Sequence, residues 1–156
     1  MFCRSEAAKL HEQKPAFDAA GCDLVCLLKE NIPEEVSAFN NEEYWPSPVY
    51  LDNDMTFFKA LGGGNVRKGS LSSLLSLLNP WSTMSKKYKA IKNDVKDSNL
   101  NGEGTIFGGL YVVSNQGIHY QYVEKDFGDA APVDEVLDAC RSLDLPGVAA
   151  GAVGGG

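Results

Sequence analysis

Cys3 is the residue whose type and position point most directly to chemistry. It stands at the start of a helix-forming stretch and is followed at once by Arg4. A helix N-terminus carries partial positive charge and a neighbouring guanidinium adds a full one. Both favour thiolate over thiol, and the thiolate is the nucleophilic form of cysteine. The competing reading is an ordinary cysteine in a frayed N-terminal turn. Cys22 and Cys26 are four apart within or beside an apolar run; strand rise separates them by about 13 Å, too far for a disulfide between them. They read as small hydrophobes of a core, as does Cys140 on the apolar stripe of a helix. His11 and His119 stand at no metal-ligand spacing to any cysteine, which argues against zinc. His119 falls on the polar face of its strand rather than in the position of a base. Two glycine-rich stretches also fail as ligand sites. Lys68-Gly69-Ser70 stands where a phosphate loop needs Gly-Lys-Ser/Thr, and Gly102-x-Gly104 lacks the third glycine and precedes a strand, so no nicotinamide site is expected.

The elements that must position these residues centre on a hairpin within residues 104–129. Residues 110–113 form a continuous apolar run, the pattern of a strand covered on both faces. Asn115-Gln116-Gly117 supplies the turn, with Gly117 free to take positive φ. The return strand alternates, Ile118, Tyr120 and Tyr122 on one face and His119, Gln121 and Val123 on the other. Val133, Val136, Leu137, Cys140 and Leu143 then recur at helical spacing and predict a helix that covers the hairpin. Upstream, residues 4–14 predict a helix that offers Ala7, Ala8 and Leu10 to a core, and Pro15 either kinks it or opens a second segment stopped by Gly21. Residues 23–28 read as a buried strand. Pro33-Glu34-Glu35 opens a short helix, Val49-Tyr50-Leu51 is a brief strand, and a helix over 55–61 is broken by Gly62-Gly63-Gly64. Between 65 and 101, Leu71, Leu74, Leu75 and Leu78 form an apolar stripe. Lys86, Lys87, Lys89, Lys92 and Lys96 follow and read as a solvated face.

A chain of 156 residues is sized for one domain with a real core. Its formal charge of −7 argues against a nucleic-acid or anionic-membrane partner. No apolar run approaches the roughly 20 residues a membrane span requires. No secretory signal follows Met1, and four cysteines do not make a disulfide-stapled domain of this size, so reduced thiols in a cytoplasmic compartment are expected.

Phe2-Cys3-Arg4-Ser5-Glu6-Ala7-Ala8, followed by Gly21-Cys22-Asp23-Leu24-Val25-Cys26-Leu27-Leu28-Lys29-Glu30, resembles the peroxiredoxin-like 2 family, which includes prostamide/prostaglandin F synthase and the selenoprotein U relatives. Val49-Tyr50-Leu51-Asp52, Asn99-Leu100-Asn101-Gly102-Glu103-Gly104, Gly108-Gly109-Leu110-Tyr111-Val112-Val113 and Glu124-Lys125-Asp126-Phe127-Gly128-Asp129 continue the likeness to about Leu143. The resemblance implies an α/β, thioredoxin-like mixed sheet flanked by helices, and thiol- or selenol-based redox chemistry. Family members carry Cys-x-x-Cys, or selenocysteine-x-x-Cys, at the end of the first strand. That places Cys3 at the second, resolving position, with Arg4 stabilising its thiolate. The attacking residue then falls immediately before Met1, and the first, central strand is missing from this chain. The expected organisation is one domain over 1–143, incomplete at its N-terminus, and a flexible Gly/Ala tail over 144–156.

The implied reaction is reduction of a hydroperoxide or a prostaglandin-type endoperoxide. No cofactor is bound, and reducing equivalents come from a thioredoxin/NADPH system. A selenocysteine UGA codon read as a stop would account for the break before Met1. The alternative is a redox-incompetent truncated product that acts as a binding or regulatory module.

Overall fold

Proline and glycine punctuate the N-terminal half. Pro15 has no N–H to give to a helix interior, so the helical stretch divides into α1 (Phe2–Glu12) and α2 (Lys14–Ala19), with the proline in the first turn of α2. Gly21, at a φ of 72°, then stops α2. The computed structural model describes residues 2–42, 44–69, 85, 86, 89 and 105–143, with the backbone alone at Phe2 and Cys3. The leucine stripe at 71–78 and the tail 144–156 lie outside the described residues, as does most of the lysine stretch, of which Lys86 and Lys89 are exposed.

β1 (Cys26–Leu28) pairs in parallel with β2 (Val49–Leu51), Cys26 opposite Val49 and Leu28 opposite Leu51. The crossover between them carries α3 (Pro33–Phe39), which starts on Pro33 with Glu34 and Glu35 in its first turn. Acids there face the positive end of the helix. The buried strand expected over 23–28 is shorter than its apolar run, and Val25 is 53% exposed. The three residues of β1 are half-buried rather than buried, since among the described residues β1 pairs only with β2. After β2 the chain turns through Met55, whose φ of 56° is left-handed, into α4 (Thr56–Leu61). Asp52 caps α4 from outside: its carboxylate accepts the Thr56 N–H at 2.8 Å and the Phe57 N–H at 2.9 Å.

The hairpin forms where the alternation placed it. β3 (Gly109–Ser114) and β4 (Gly117–Val123) are antiparallel, and Gly117 takes a φ of 123°. One departure changes which side chains face inward. Val112 pairs with Tyr120 while Val113 pairs with Ile118, so His119 is an extra residue on β4. A bulge of this kind breaks the two-residue alternation. Ile118 therefore leaves the face of Tyr120 and Tyr122, and it and Val113 turn to solvent at 59% and 56% exposure. The coverage expected on both faces of the first strand ends at this bulge. His119 is exposed and shares a 2.7 Å hydrogen bond with the Ser114 hydroxyl.

α5 (Val133–Arg141) closes over the hairpin and buries Val136, Leu137 and Cys140. These join Ala7 and Leu10 of α1, Phe17 of α2 and Val112 of β3 in a single core cluster. Among the described residues no ladder joins β1–β2 to β3–β4, and the observed architecture is mixed α/β with one small parallel and one small antiparallel sheet.

Candidate functional site

Cys3 occupies the first turn of α1, the position in which a helix terminus favours a thiolate; its side chain lies outside the described residues. Arg4, next along, is buried. Its Nη2 donates to Glu35 Oε2 at 2.9 Å, tying α1 to the first turn of α3, and its guanidinium carbon lies 5.7 Å from the centre of the Tyr44 ring. The guanidinium is thus committed to a carboxylate and an aromatic face, and the field it adds at Cys3 is reduced by the Glu35 charge. What Arg4 holds in place is the start of the helix. Two polar atoms of this cluster, Glu35 Oε1 and the Tyr44 hydroxyl, are buried without a hydrogen-bond partner among the described residues. Such atoms are costly to leave unpaired.

Three residues past Cys3 on α1 is Glu6, which feels the charge of two more carboxylates brought by the hairpin, Glu124 just after β4 and Asp129 in the loop before α5. Burial pushes the Glu6 carboxyl up to about 7, and the charges of Glu124 and Asp129 add to the rise. A hydrogen bond from the Ala131 N–H and the Lys9 charge oppose it. Glu124 is held by the Gly108 N–H, which donates to its Oε2 at 3.1 Å, and burial still raises its carboxyl. Arg67 donates to the Glu124 backbone carbonyl at 2.6 Å. Asp129 accepts the Tyr122 hydroxyl at 2.7 Å and the Lys125 N–H at 2.9 Å. The hydrogen bond to Asp129, with burial behind it, pushes the Tyr122 phenol up to about 12. The arrangement gives α1 a carboxyl that exchanges its proton near neutral pH.

Sequence reasoning singled out Cys3 and Arg4 and missed Glu6, Glu124 and Asp129 as a group. The signal was in the motifs, since Glu6 lies in the first and the other two in the last, but nothing in their spacing says that they meet. It also missed that Cys22 and Cys140, from opposite ends of the chain, come together in one core cluster. Among the described residues no group of three His, Cys, Asp or Glu side chains could hold a metal ion, and no helix is long and apolar enough to cross a membrane.

Comparison with known proteins agrees with the motifs. A model of the AhpC/TSA antioxidant enzyme family matches residues 9–126, a span that begins after Cys3 and Arg4. Peroxiredoxin-like 2A of Xenopus laevis is 37% identical over 90% of this chain and 58% of its own length. Peroxiredoxin-like 2A of Gallus gallus is 34% identical over 90% of this chain and 59% of its own. The Homo sapiens protein of the same name is 32% identical over 90% and 58%. The chain thus spans less than two-thirds of the length of these curated relatives. No solved structure matches it. The mixed sheets and flanking helices are consistent with a thioredoxin-like AhpC/TSA fold, and the chain belongs to the AhpC/TSA antioxidant enzyme family and, within it, to the peroxiredoxin-like 2 proteins.

Proposed function

We propose that this chain is the larger part of a thiol- or selenol-dependent oxidoreductase that reduces a hydroperoxide or a prostaglandin-type endoperoxide, with Cys3 as the resolving cysteine. The family match carries the reading, together with Cys3 in the first turn of α1. The attacking cysteine or selenocysteine is supplied by chain upstream of Met1. Its thiolate or selenolate attacks one oxygen of the O–O bond, and the other oxygen is released as an alcohol after taking up a proton; a hydroperoxide leaves a sulfenic or selenenic acid, and an endoperoxide leaves the corresponding ester, still joined to the substrate. The Cys3 sulfur attacks that sulfur or selenium, the oxygen departs with the Cys3 proton, as water from the acid or as the second alcohol of a diol from the ester, and an S–S or Se–S bond forms. A thioredoxin-type dithiol reduces the bond by two exchanges and is itself oxidised to its disulfide.

Arg4 serves as a positioning residue, since its ion pair with Glu35 fixes the first turn of α1, which carries Cys3. Glu6 holds a proton close to neutrality for exchange beside that turn.

Two observations support a first strand outside this chain. β1–β2 and β3–β4 are separate pairs among the described residues, and a central strand between β1 and β3 would unite them into one mixed sheet. Among the described residues, Glu35 Oε1 and the Tyr44 hydroxyl lack partners beside the start of α1, where preceding chain would supply them. On this reading residues 1–143 form one domain whose working environment is reducing and cytoplasmic.

The test is peroxide consumption coupled to NADPH through thioredoxin and its reductase, in two proteins: the 156-residue chain, and the same chain extended upstream by the preceding strand and a Cys-x-x that ends on Cys3. Turnover by the extended protein, its loss in Cys3→Ser, and no turnover by the shorter chain is the expected pattern. Turnover by the shorter chain that depends on Cys3 would overturn the need for an upstream residue. No turnover by either would favour the binding-module alternative.

A further inference from the structure

α2 and α5 pack against each other, and the two cysteines at their junction were both expected to be plain core residues. Cys22 follows α2 through Gly21, and its own N–H donates to the Phe17 carbonyl at 2.9 Å, which folds it back onto the helix. Phe17, fully buried, is the pivot of that fold. Cys140 lies on the buried stripe of α5 with Val136 and Leu137, and Cys22 packs against the same cluster. The two thiols thus share one cluster, close enough for Cys22 to bear on the acidity of Cys140, and both are free.

We propose that Cys22 and Cys140 form a reversible intramolecular disulfide that staples the N-terminal helical pair to the C-terminal helix, a second redox site independent of Cys3.

The environments of the two sulfurs divide the work. Cys22 is half-buried and open to a small oxidant, whereas Cys140 is buried. Burial, with Cys22 alongside, pushes the Cys140 thiol up to about 12, so at neutral pH it is un-ionised. With a hydroperoxide as oxidant, the Cys22 thiolate attacks one peroxide oxygen. The O–O bond breaks, the second oxygen leaves as the alcohol after taking up a proton, and Cys22 becomes a sulfenic acid. The Cys140 sulfur then attacks the Cys22 sulfur, the hydroxyl leaves with the Cys140 proton as water, and the S–S bond forms. Two thiols have lost two electrons to one hydroperoxide.

Reduction runs through the less buried residue, Cys22. A dithiol reductant attacks Cys22 and must expel Cys140, and a thiol of such high pKa is a poor leaving group. The same un-ionised state slows the closing attack of Cys140, so the bond both forms and opens slowly. This distinguishes a latch from a turnover site. It crosslinks residues far apart in sequence, the case in which a bridge restricts the unfolded chain most.

The test is non-reducing peptide mapping by mass spectrometry of the full 156-residue chain, before and after treatment with hydrogen peroxide and after alkylation of the remaining thiols. The expected result is a linked peptide pair joining Cys22 to Cys140 in monomeric protein. In Cys3→Ser the pair forms to the same extent, and the melting temperature rises on oxidation by roughly 10 °C, a rise absent in Cys22→Ser. Cys140 still fully alkylated after Cys22 has gone to sulfinic acid, or Cys22 linked to a different cysteine, would overturn the proposal. Because the mapping is done on protein with both cysteines intact, the outcome does not depend on any variant folding.

Discussion

Replacing Glu6 by glutamine isolates the carboxyl that the fold keeps protonated. Its acidity is shifted from the ordinary value of 4.5 to about 7 by burial against Glu124 and Asp129. At about 1.4 kcal/mol per unit, that difference is worth about 3 kcal/mol. The sign follows from proton binding. Between pH 4.5 and about 7 the folded chain holds a proton on Glu6 that the unfolded chain has released, so stability falls as pH rises through this window. The contribution is fully present below the lower value and lost above the upper one. Glutamine keeps the shape and the acceptor for the Ala131 N–H, and its amide can donate to a neighbouring carboxylate as the protonated acid does. Urea unfolding of wild type and Glu6→Gln, followed by circular dichroism at pH 5 and pH 8, reads the difference directly. The variant should exceed wild type by about 1 kcal/mol at pH 5 and by about 3 kcal/mol at pH 8. An equal difference at both pH values, or a variant weaker than wild type at pH 8, would refute the claim that Glu6 is neutral when the chain folds.

Other substitutions test single contacts by the same unfolding measurement. Asp52→Ala removes both hydrogen bonds that cap α4 and should cost about 1–2 kcal/mol. Gly109→Ala places a methyl group 2.2 Å from the Tyr122 carbonyl oxygen across the hairpin, so the strands must part. The variant should unfold at lower urea and lose hydrogen-exchange protection in β3 and β4. Arg4→Ala leaves the Glu35 carboxylate half-buried and without its cation, a loss of about 3 kcal/mol that Glu35→Gln in the same chain should partly restore. Phe17→Ala empties the most deeply buried side chain among the described residues and should cost about 3–5 kcal/mol.

Much of the local structure was legible because single residues dictate it. Pro15 and Gly21 bound α2, Pro33 starts α3, and Gly117 makes the hairpin turn, each through a φ constraint that neighbours cannot override. The spacing of Val136, Leu137 and Cys140 marked the buried stripe of α5 in the same way. The bulge at His119 was not legible, since nothing in an alternating strand announces one extra residue, and so Ile118 was assigned to the wrong face. Motif spacing located Cys3 and Arg4 within the first turn of α1. It could not foresee that Arg4 would spend its charge on Glu35, or that Glu6 would meet Glu124 and Asp129, because those meetings are made by tertiary packing. The meeting of Cys22 and Cys140 in one core cluster was invisible for the same reason. Only the neighbouring pair, Cys22 and Cys26, can be measured along a strand.

The central claim is that Cys3 is the second residue of a two-residue redox site. The codon directly before that of Met1 in the transcript tests it most directly. An in-frame UGA with a downstream selenocysteine-insertion element, or a cysteine codon, preceded by codons for an apolar β-branched strand, is what the account predicts. An in-frame UAA or UAG at that position would contradict it and leave Cys3 without a partner.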